Sequence, residues 1–282
     1  MTQGKSAPAA IVEQNGRNLL MRIVAALVLA PVAIAIAYLG GWFWAALVTL
    51  AAIGLYVEWL TIIGKAHQTT VVASGVAALL VMGWSVGQGH IKALLVTSVL
   101  GLLATGLLAP ERRLWAAAGF FYAAAAQIAS ILLRFDPADG FSALILILLV
   151  VWVTDIGGYV AGRGIGGPKL WPRVSPNKTW AGAIGGFVAS LVVGAGFAVF
   201  KVGGAVPILV LGSVLSIASQ FGDLFESAVK RRFGVKDSSH IIPGHGGVLD
   251  RLDGFVAAVV LAAIFGLLRG GVDGVGRGLM VW

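Results

Sequence analysis

Acidic and basic side chains are concentrated where one long apolar segment ends. In SQFGDLFESAVKRR, Asp223, Glu226, Ser227 and Lys230 are spaced i, i+3, i+4 and i+7, which places them on one face of a helix. A salt-bridged helix end, with Lys230 paired to Glu226, is the simpler interpretation. Ionisable residues at membrane depth are costly and usually functional, so the spacing favours a functional face.

A second acidic pair opens the next apolar segment. In GVLDRLDGF, Asp250 and Asp253 are three residues apart and share one face of the first turn. Alone they would favour the positive end of the helix dipole. With Asp223 they form a carboxylate cluster between two helix ends, and such hard oxygen ligands suit Mg²⁺, which also takes substrate phosphates. Neighbouring histidines could suggest zinc, but the oxygen ligands predominate and no H-E-x-x-H motif is present.

The stretch WPRVSPNKTWAG combines a helix-start signal with basic residues. Ser175 followed by Pro176 predicts the N-cap and first residue of a helix. The free N–H groups of such a turn bind anions, and Lys178 lies within it. Anchoring of a basic helix start at a membrane surface explains the same residues, and both interpretations can hold together.

One further acid lies inside an apolar run. In VWVTDIGGYVAGRGIGGPKL, Asp155 is predicted to face the interior of a bundle, and Gly157 and Gly158 allow close helix approach or a bend. Residues 162–167 spell G-x-G-x-x-G, but no βαβ unit surrounds them, which excludes a dinucleotide site. We predict a flexible loop near substrate there.

The composition of the chain indicates which class of protein carries these residues. Of the 282 residues, 59% are hydrophobic and 11% charged, the mean hydropathy is +0.94, and there is no cysteine. Continuous apolar runs of membrane-spanning length predict an all-α integral membrane protein, a polytopic helical bundle. The absence of cysteine excludes disulfides and thiolate chemistry. Nine spans are predicted, near residues 19–38, 42–63, 71–88, 92–109, 114–133, 141–161, 178–200, 205–229 and 252–269.

The distribution of basic residues predicts the orientation. With the N-terminus in the cytoplasm, alternation of nine spans puts fifteen Lys and Arg residues inside and five outside. The net charge of +8 therefore indicates topology and lipid contact, and nucleic-acid binding is not expected. We predict a cytoplasmic tail (1–18), scaffold helices (19–133) and a catalytic membrane region (134–282). Glu58, in the scaffold, is predicted to make a structural hydrogen bond because no second acid is near it.

The residues alone predict that the protein is a membrane enzyme with a cytoplasmic polar pocket suited to phosphoryl or nucleotidyl transfer. Residues 227–253 resemble the C-terminal signature of the phosphatidate cytidylyltransferases, or CDP-diacylglycerol synthases: serine, Lys-Arg, Lys-Asp, His-Gly-Gly and Asp-Arg-x-Asp. The stretches VSPNKTW and TDIGGY are similar to two further family segments. Ala181 stands where many members have Glu or Gln.

The resemblance implies that CTP and phosphatidate give CDP-diacylglycerol and pyrophosphate at the inner (cytoplasmic) membrane. A lipid phosphate oxygen would attack the α-phosphorus of CTP in line, with Mg²⁺ and a second cation, K⁺, at the acidic centre, in a homodimer whose site faces the cytoplasm. Asp223 and Asp250 would be the metal ligands. The catalytic set is Asp223, Asp250, Lys230, Lys236 and Asp253, and the substrate-binding set is Ser175, Asn177, Lys178, Thr179, Ser227, Arg231, Asp237, His245, Arg251 and Asp155.

Three other functions fit parts of the pattern. A transporter would distribute acids along a path across the bilayer, whereas these acids cluster on one side. A different lipid nucleotidyl- or phosphotransferase, such as a CTP-dependent polyprenol kinase, would use similar chemistry. The third is a membrane scaffold whose polar loops bind anionic lipid.

Overall fold

The structure, a computed structural model, describes residue 28 and residues 30–239 and 246–282 of the chain. The predicted tail, residues 1–18, and part of the first predicted span lie outside these residues. The described chain is a helical bundle with one two-stranded sheet. Its elements are α1 (Ala30–Leu39), α2 (Gly41–Ile62), α3 (Thr69–Gly87), α4 (Ile91–Leu108), α5 (Arg113–Phe135), α6 (Gly140–Gly164), β1 (Lys169–Trp171), β2 (Ser175–Thr179), α7 (Trp180–Val199), α8 (Ala205–Arg232), α9 (Leu249–Gly270) and α10 (Val275–Met280).

Seven of these helices are long and apolar enough to cross a membrane: α2, α3 and α5 to α9. Two more, α1 and α4, are apolar but shorter within the part of the chain that the structure describes. The prediction of an all-α polytopic membrane protein is confirmed. The count of nine spans and the cytoplasmic N-terminus remain predictions.

Buried aromatic side chains join α2 to its neighbours in the first half of the bundle. The Trp44 indole N–H donates to the Ser130 carbonyl at 2.9 Å, and the Trp59 indole N–H donates to the Trp115 carbonyl at 2.9 Å. The Tyr56 hydroxyl donates to the Val71 carbonyl at 2.7 Å. Each ring thus combines apolar packing with a satisfied polar group, which an interior without water requires.

Glycines bring the helices of the second half into close contact. A β-carbon at Gly157 would lie 2.6 Å from Ala189 Cβ, and one at Gly186 would lie 2.6 Å from the Thr154 carbonyl oxygen. Helix α6 runs without interruption through Gly157 and Gly158. The predicted close approach is therefore confirmed, and it is made against α7.

The G-x-G-x-x-G run does not form the predicted flexible loop over its whole length. Gly162 and Gly164 belong to the last turn of α6, and only the residues after Gly164 leave the helix. Gly166 and Gly167 have φ angles of 70° and 92°, a conformation that glycine adopts readily. They begin the connection to the β1–β2 hairpin.

Contacts between the segments that join consecutive helices show which of these segments lie at the same end of the bundle. At one end, Lys65 Nζ lies 2.6 Å from Glu111 Oε2, and the Arg112 guanidinium lies 5.1 Å from the centroid of the Phe233 ring. At the other end, the Arg277 backbone N–H donates to Asp136 Oδ2 at 2.6 Å. Each contact joins connections that the alternating topology puts on the same side.

Candidate active site

Helix α8 carries the predicted polar face. Its 28 residues extend about 42 Å, more than the roughly 30 Å of a hydrocarbon core, so one charged end lies at the membrane surface or beyond it. The last turn holds Lys230, Arg231 and Arg232. The same end of the bundle holds the start of α9 and the β1–β2 hairpin, which contacts α7 and α8.

Lys230 joins α8 to α9 through two carboxylates. Its ammonium lies 2.7 Å from Glu226 Oε2, one helical turn earlier, and 2.7 Å from Asp250 Oδ1 on α9. Lys230 and Glu226 are both buried. The Glu226–Lys230 pair of the simpler interpretation is therefore present. It is one side of a three-residue ion cluster rather than an isolated helix-end pair.

Asp250 also anchors the segment that precedes α9. Its carboxylate accepts hydrogen bonds from the backbone N–H of Ser238, at 3.3 Å and 3.1 Å, and from that of Gly247 at 3.0 Å. The Ser238 hydroxyl lies 3.0 Å from Asp250 Oδ2. With Lys230 on Oδ1, both oxygens of Asp250 already have protein donors.

Glu58 reaches the same segment from α2. It is fully buried and accepts hydrogen bonds from Ser238, Ser239, Val248 and Leu249. The predicted hydrogen-bonding role is confirmed. The premise that no second acid lies nearby is wrong, because the Ser238 hydroxyl contacts both Glu58 and Asp250. Sequence spacing could not reveal this, since the partners are far apart in the chain.

A second acidic cluster comprises Asp155 on α6, Asp223 on α8 and Asp253 on α9, and Asp253 also interacts electrostatically with Glu226. The three carboxylates of the cluster interact electrostatically with one another and with the ammonium of Lys178. Lys178 forms an ion pair with Asp223, and the Ser227 hydroxyl contacts Asp223 Oδ1 at 3.4 Å. Three acids here face Lys178 and Arg251, so acids outnumber cations in the cluster.

Close helix packing positions two members of the acidic cluster. A β-carbon at Gly222 would lie 2.5 Å from the Asp253 carbonyl oxygen, and one at Gly254 would lie 2.5 Å from Ser219 Oγ. Asp223 and Asp253 therefore lie beside the closest approach of α8 and α9. Asp250 and Asp253, which share a face in sequence spacing, contact different partners.

Asp155 differs from its prediction. Its side chain is accessible at the surface instead of being enclosed in the bundle. It interacts electrostatically with Asp223, Lys178 and Arg251, so it borders the acidic cluster from its open side.

The predicted helix start at Ser175 and Pro176 is wrong. Residues Ser175–Thr179 form β2, which pairs antiparallel with β1. The N-cap of α7 is Thr179, whose Oγ1 accepts a hydrogen bond from the Gly182 backbone N–H at 3.1 Å. The hairpin explains the error, because a proline also fits an exposed position of a short edge strand.

The other predicted site residues lie around these contacts. Asn177, Lys236, Asp237 and Arg251 are exposed. The exposed Arg231 guanidinium donates to the Val235 carbonyl at 3.1 Å. His245 lies outside the described residues. The structure thus brings Lys178 together with Asp155, Asp223 and Asp253, and Lys230 together with Glu226 and Asp250. It adds Glu58 and Ser238 to the second of these groups.

An apolar cavity lies beside the acidic cluster, between the hairpin, α7 and α8. Its volume is about 380 Å³. Gln220 and Leu224, which flank Asp223 in α8, line it together with Trp180 at the start of α7. The other lining residues are Leu170, Trp171, Ala183, Ile184, Phe187, Ile217 and Phe221. A charged region and an apolar cavity are therefore adjacent at one end of the bundle.

The acidic cluster has the donor chemistry of a magnesium site. Within residues 28, 30–239 and 246–282, no group of three or more His, Cys, Asp or Glu side chains is arranged to hold a metal ion by itself. Mg²⁺ commonly takes one or two carboxylates, waters and substrate phosphates, so Asp223 with its acidic neighbours fits it. Asp250 fits less readily, because protein donors already occupy both oxygens.

The fold and this site define a polytopic membrane protein with a charged site at one end of its helices. The chain belongs to the cytidylyltransferase family, whose sequence model matches residues 20–268. A relative from Brucella suis biovar 1, named phosphatidate cytidylyltransferase, is 41% identical over 263 residues, 89% of this chain and 94% of the relative. A relative of the same name from Staphylococcus haemolyticus is 48% identical over 130 residues, 45% of this chain and 50% of the relative.

Proposed function

We propose that the protein transfers the cytidylyl group of CTP to phosphatidate and releases pyrophosphate. Family membership and the names of its relatives support the reaction. The observation that carries it in the structure is the apolar cavity beside the acidic cluster and Lys178. Phosphatidate combines the same two kinds of group, a charged phosphate and two apolar acyl chains on one glycerol. The cavity suits part of an acyl chain, and the charged region suits phosphates.

The reaction follows from the charges of its reactants. An oxygen of the phosphatidate phosphate forms a bond to the α-phosphorus of CTP as the bond to the bridging oxygen of the β-phosphate breaks. That oxygen and its electron pair leave with pyrophosphate. A phosphate monoester is largely ionised near neutral pH, so no strong protein base is required. Lys178, Lys236 and Arg251 would bind phosphate oxygens and orient the triphosphate.

Mg²⁺ is the proposed cofactor, with Asp223 and Asp250 as its ligands. Asp223 could bind it after its ion pair with Lys178 rearranges, and Asp250 could do so after exchanging a hydrogen bond. When bound, Mg²⁺ would offset negative charge on the phosphates. A second cation, K⁺, a homodimer, and a cytoplasm-facing site in the inner membrane remain proposals that rest on the resemblance.

The test uses the purified full chain in lipid nanodiscs. CTP labelled at the α-phosphate and phosphatidate are supplied with Mg²⁺, and lipid-extractable label and pyrophosphate are measured. We expect both products in equal amounts, and neither when phosphatidate is replaced by diacylglycerol. Label transfer to diacylglycerol or to polyprenol, or no transfer at all, would overturn the proposal. CTP labelled at the γ-phosphate distinguishes kinase activity, which would put that label in lipid.

A further inference from the structure

Glu58 connects the predicted scaffold to the segment that carries Asp250. It lies near the end of α2 and has no solvent-accessible surface. Its Oε1 accepts hydrogen bonds from the Ser239 hydroxyl at 2.6 Å and the Val248 backbone N–H at 2.8 Å. Its Oε2 accepts from the Ser238 hydroxyl at 2.8 Å and the Leu249 backbone N–H at 2.7 Å. One carboxylate therefore holds residues on both sides of the 240–245 segment.

Two of the groups that donate to Glu58 explain why an acid is favourable at position 58. Val248 and Leu249 are the N-cap and first residue of α9, where backbone N–H groups have no partner within their own helix. No side chain at the N-cap of α9 makes a capping hydrogen bond. A negative charge is favourable at a helix N-terminus. Glu58 thus supplies from α2 the cap that α9 lacks locally.

The contacts of Glu58 also connect to Asp250, which forms an ion pair with Lys230. Ser238 donates its backbone N–H to Asp250, and its hydroxyl lies between Glu58 and Asp250, at 2.8 Å and 3.0 Å. Since a hydroxyl has one proton, the backbone bond to Asp250 leaves the hydroxyl free to donate to Glu58. A β-carbon at Gly247 would overlap Ser238 and Glu58, so the segment fits tightly here.

We propose that Glu58 is a positioning residue for the cytidylyl transfer reaction, acting through Ser238 and the start of α9 to hold Asp250 against Lys230. The expected effect of Glu58 on catalysis rests on the proposed function. The structural role of Glu58, capping of α9, does not depend on which reaction the protein catalyses. Glu58 touches no substrate in this role.

The first experiment compares Glu58→Gln with Glu111→Gln in the full chain in nanodiscs. Glutamine at position 58 keeps the size but turns one acceptor into a donor, which then opposes a backbone N–H or a hydroxyl. We expect kcat per folded enzyme to fall about 10- to 100-fold. Glu111 is an exposed acid at the same end of the bundle, so Glu111→Gln should stay within about twofold of wild type.

Amide hydrogen exchange tests the positioning without activity. The Val248 and Leu249 amides should exchange faster in Glu58→Gln than in wild type, while Glu111→Gln leaves them unchanged. Unchanged exchange in Glu58→Gln would overturn the capping assignment. If wild type transfers no cytidylyl group but exchange still accelerates, the proposed function fails and the capping role stands.

A milder variant covers the case in which Glu58→Gln fails to fold. Ser238→Ala removes one donor to Glu58 and should also lower kcat per folded enzyme. Where both single variants fold, their double variant should lose little more than Glu58→Gln alone, because both changes break one network. Effects that multiply independently, or a Ser238→Ala enzyme with normal kcat, would overturn the positioning role.

Discussion

At the scale of single residues, the candidate site contains two charge groups with different partners. Lys230 compensates Glu226 and Asp250 at 2.7 Å each, in buried surroundings. Lys178 instead pairs with Asp223 while Asp253 and Asp155 add further negative charge. In the first group protein donors reach both oxygens of Asp250, and Lys230, paired with Glu226 on α8, links α8 to α9 through Asp250. The second retains negative charge that would attract a cation, and a bound cation would in turn bind the phosphates of the substrates.

Lys230→Met should destabilise the protein strongly. The substitution leaves Glu226 and Asp250 buried without their cation, and breaking a buried pair from one side typically costs about 3–5 kcal/mol. Thermal unfolding of the purified protein, followed by tryptophan fluorescence, should shift to lower temperature. Arg232→Met, an exposed cation of the same turn, is the matched control and should unfold like wild type. Equal unfolding temperatures for the two variants would contradict the ion cluster.

Asp223→Asn and Asp250→Asn should each lower turnover by about 100-fold or more, because each removes charge from the proposed magnesium site. The Mg²⁺ concentration for half-maximal rate should rise for any residual activity. Asp250→Asn should also lower the unfolding temperature, since Lys230 loses a partner. Initial rates over a range of Mg²⁺ check this. A near-normal rate for either variant at saturating Mg²⁺ would show that the ligand assignment is wrong.

At the scale of elements, small residues determine the geometry of the candidate site, because they control how closely the helices approach one another. Gly222 and Gly254 let α8 and α9 meet beside Asp223 and Asp253. The β1–β2 hairpin then brings Lys178 to Asp223 and closes one wall of the apolar cavity. The acids and bases are thus positioned by packing between elements rather than by one continuous motif.

Gly222→Ala should lower activity by more than the loss of folded protein accounts for. Its methyl group would lie 2.5 Å from the Asp253 carbonyl oxygen and 2.7 Å from Ala257 Cβ, so α8 and α9 must separate. We expect about a 10- to 100-fold loss of kcat/KM, as for other small displacements of catalytic groups. Gly196→Ala is the control, because a β-carbon there meets nothing within 4 Å. Similar rates for the two variants would argue against this crossing as a determinant of the site.

Filling the apolar cavity should affect phosphatidate and not CTP. Ala183→Phe places a ring in a space of about 380 Å³ beside Asp223. We expect KM for phosphatidate to rise roughly tenfold or more while KM for CTP stays within about twofold, because the lost contacts are apolar. Val192→Phe, at an exposed position of the same helix, is the control. A change confined to the CTP KM would place the nucleotide, not the lipid, against the cavity.

At the scale of the whole molecule, the described contacts keep the two ends of the bundle distinct. The candidate site, the Lys65–Glu111 pair and the Arg112–Phe233 contact occupy one end, and the Asp136–Arg277 contact occupies the other. The predicted excess of basic residues belongs to the site's end. The positive-inside rule predicts that this end faces the cytoplasm, where CTP would be available.

The orientation can be tested by cysteine labelling, because the chain contains no cysteine. His67→Cys and Ala138→Cys each place a thiol at an exposed position, at opposite ends of the bundle. A membrane-impermeant maleimide applied to spheroplasts should label the Ala138→Cys variant without permeabilisation and the His67→Cys variant only after it. The reverse pattern would invert the predicted topology, and labelling of both variants from outside would contradict the separation of the two positions by the membrane.

The sequence by itself determined the class of the protein and most of its helices, and it predicted the carboxylates and lysines of the candidate site. It could do so because long apolar runs and helical spacing are local signals. Helical spacing points to Asp223, Lys230, Asp250 and Asp253, whereas Lys178 lies in the stretch that was predicted to start a helix and forms β2. Ser175 and Pro176 were misassigned because the same residues suit a helix start and a short strand, and pairing with β1 decides between them.

Only the tertiary structure decided which charges meet. Asp250 and Asp253 share a helical face, yet the first contacts Lys230 and the second lies with Asp223 and Asp155. Glu58 gives no sign in the sequence of reaching Leu249, because α2 and α9 are brought together by packing of the whole bundle. Hydrogen bonds and ion pairs depend on distances of about 3 Å, and sequence spacing fixes such distances only within one element.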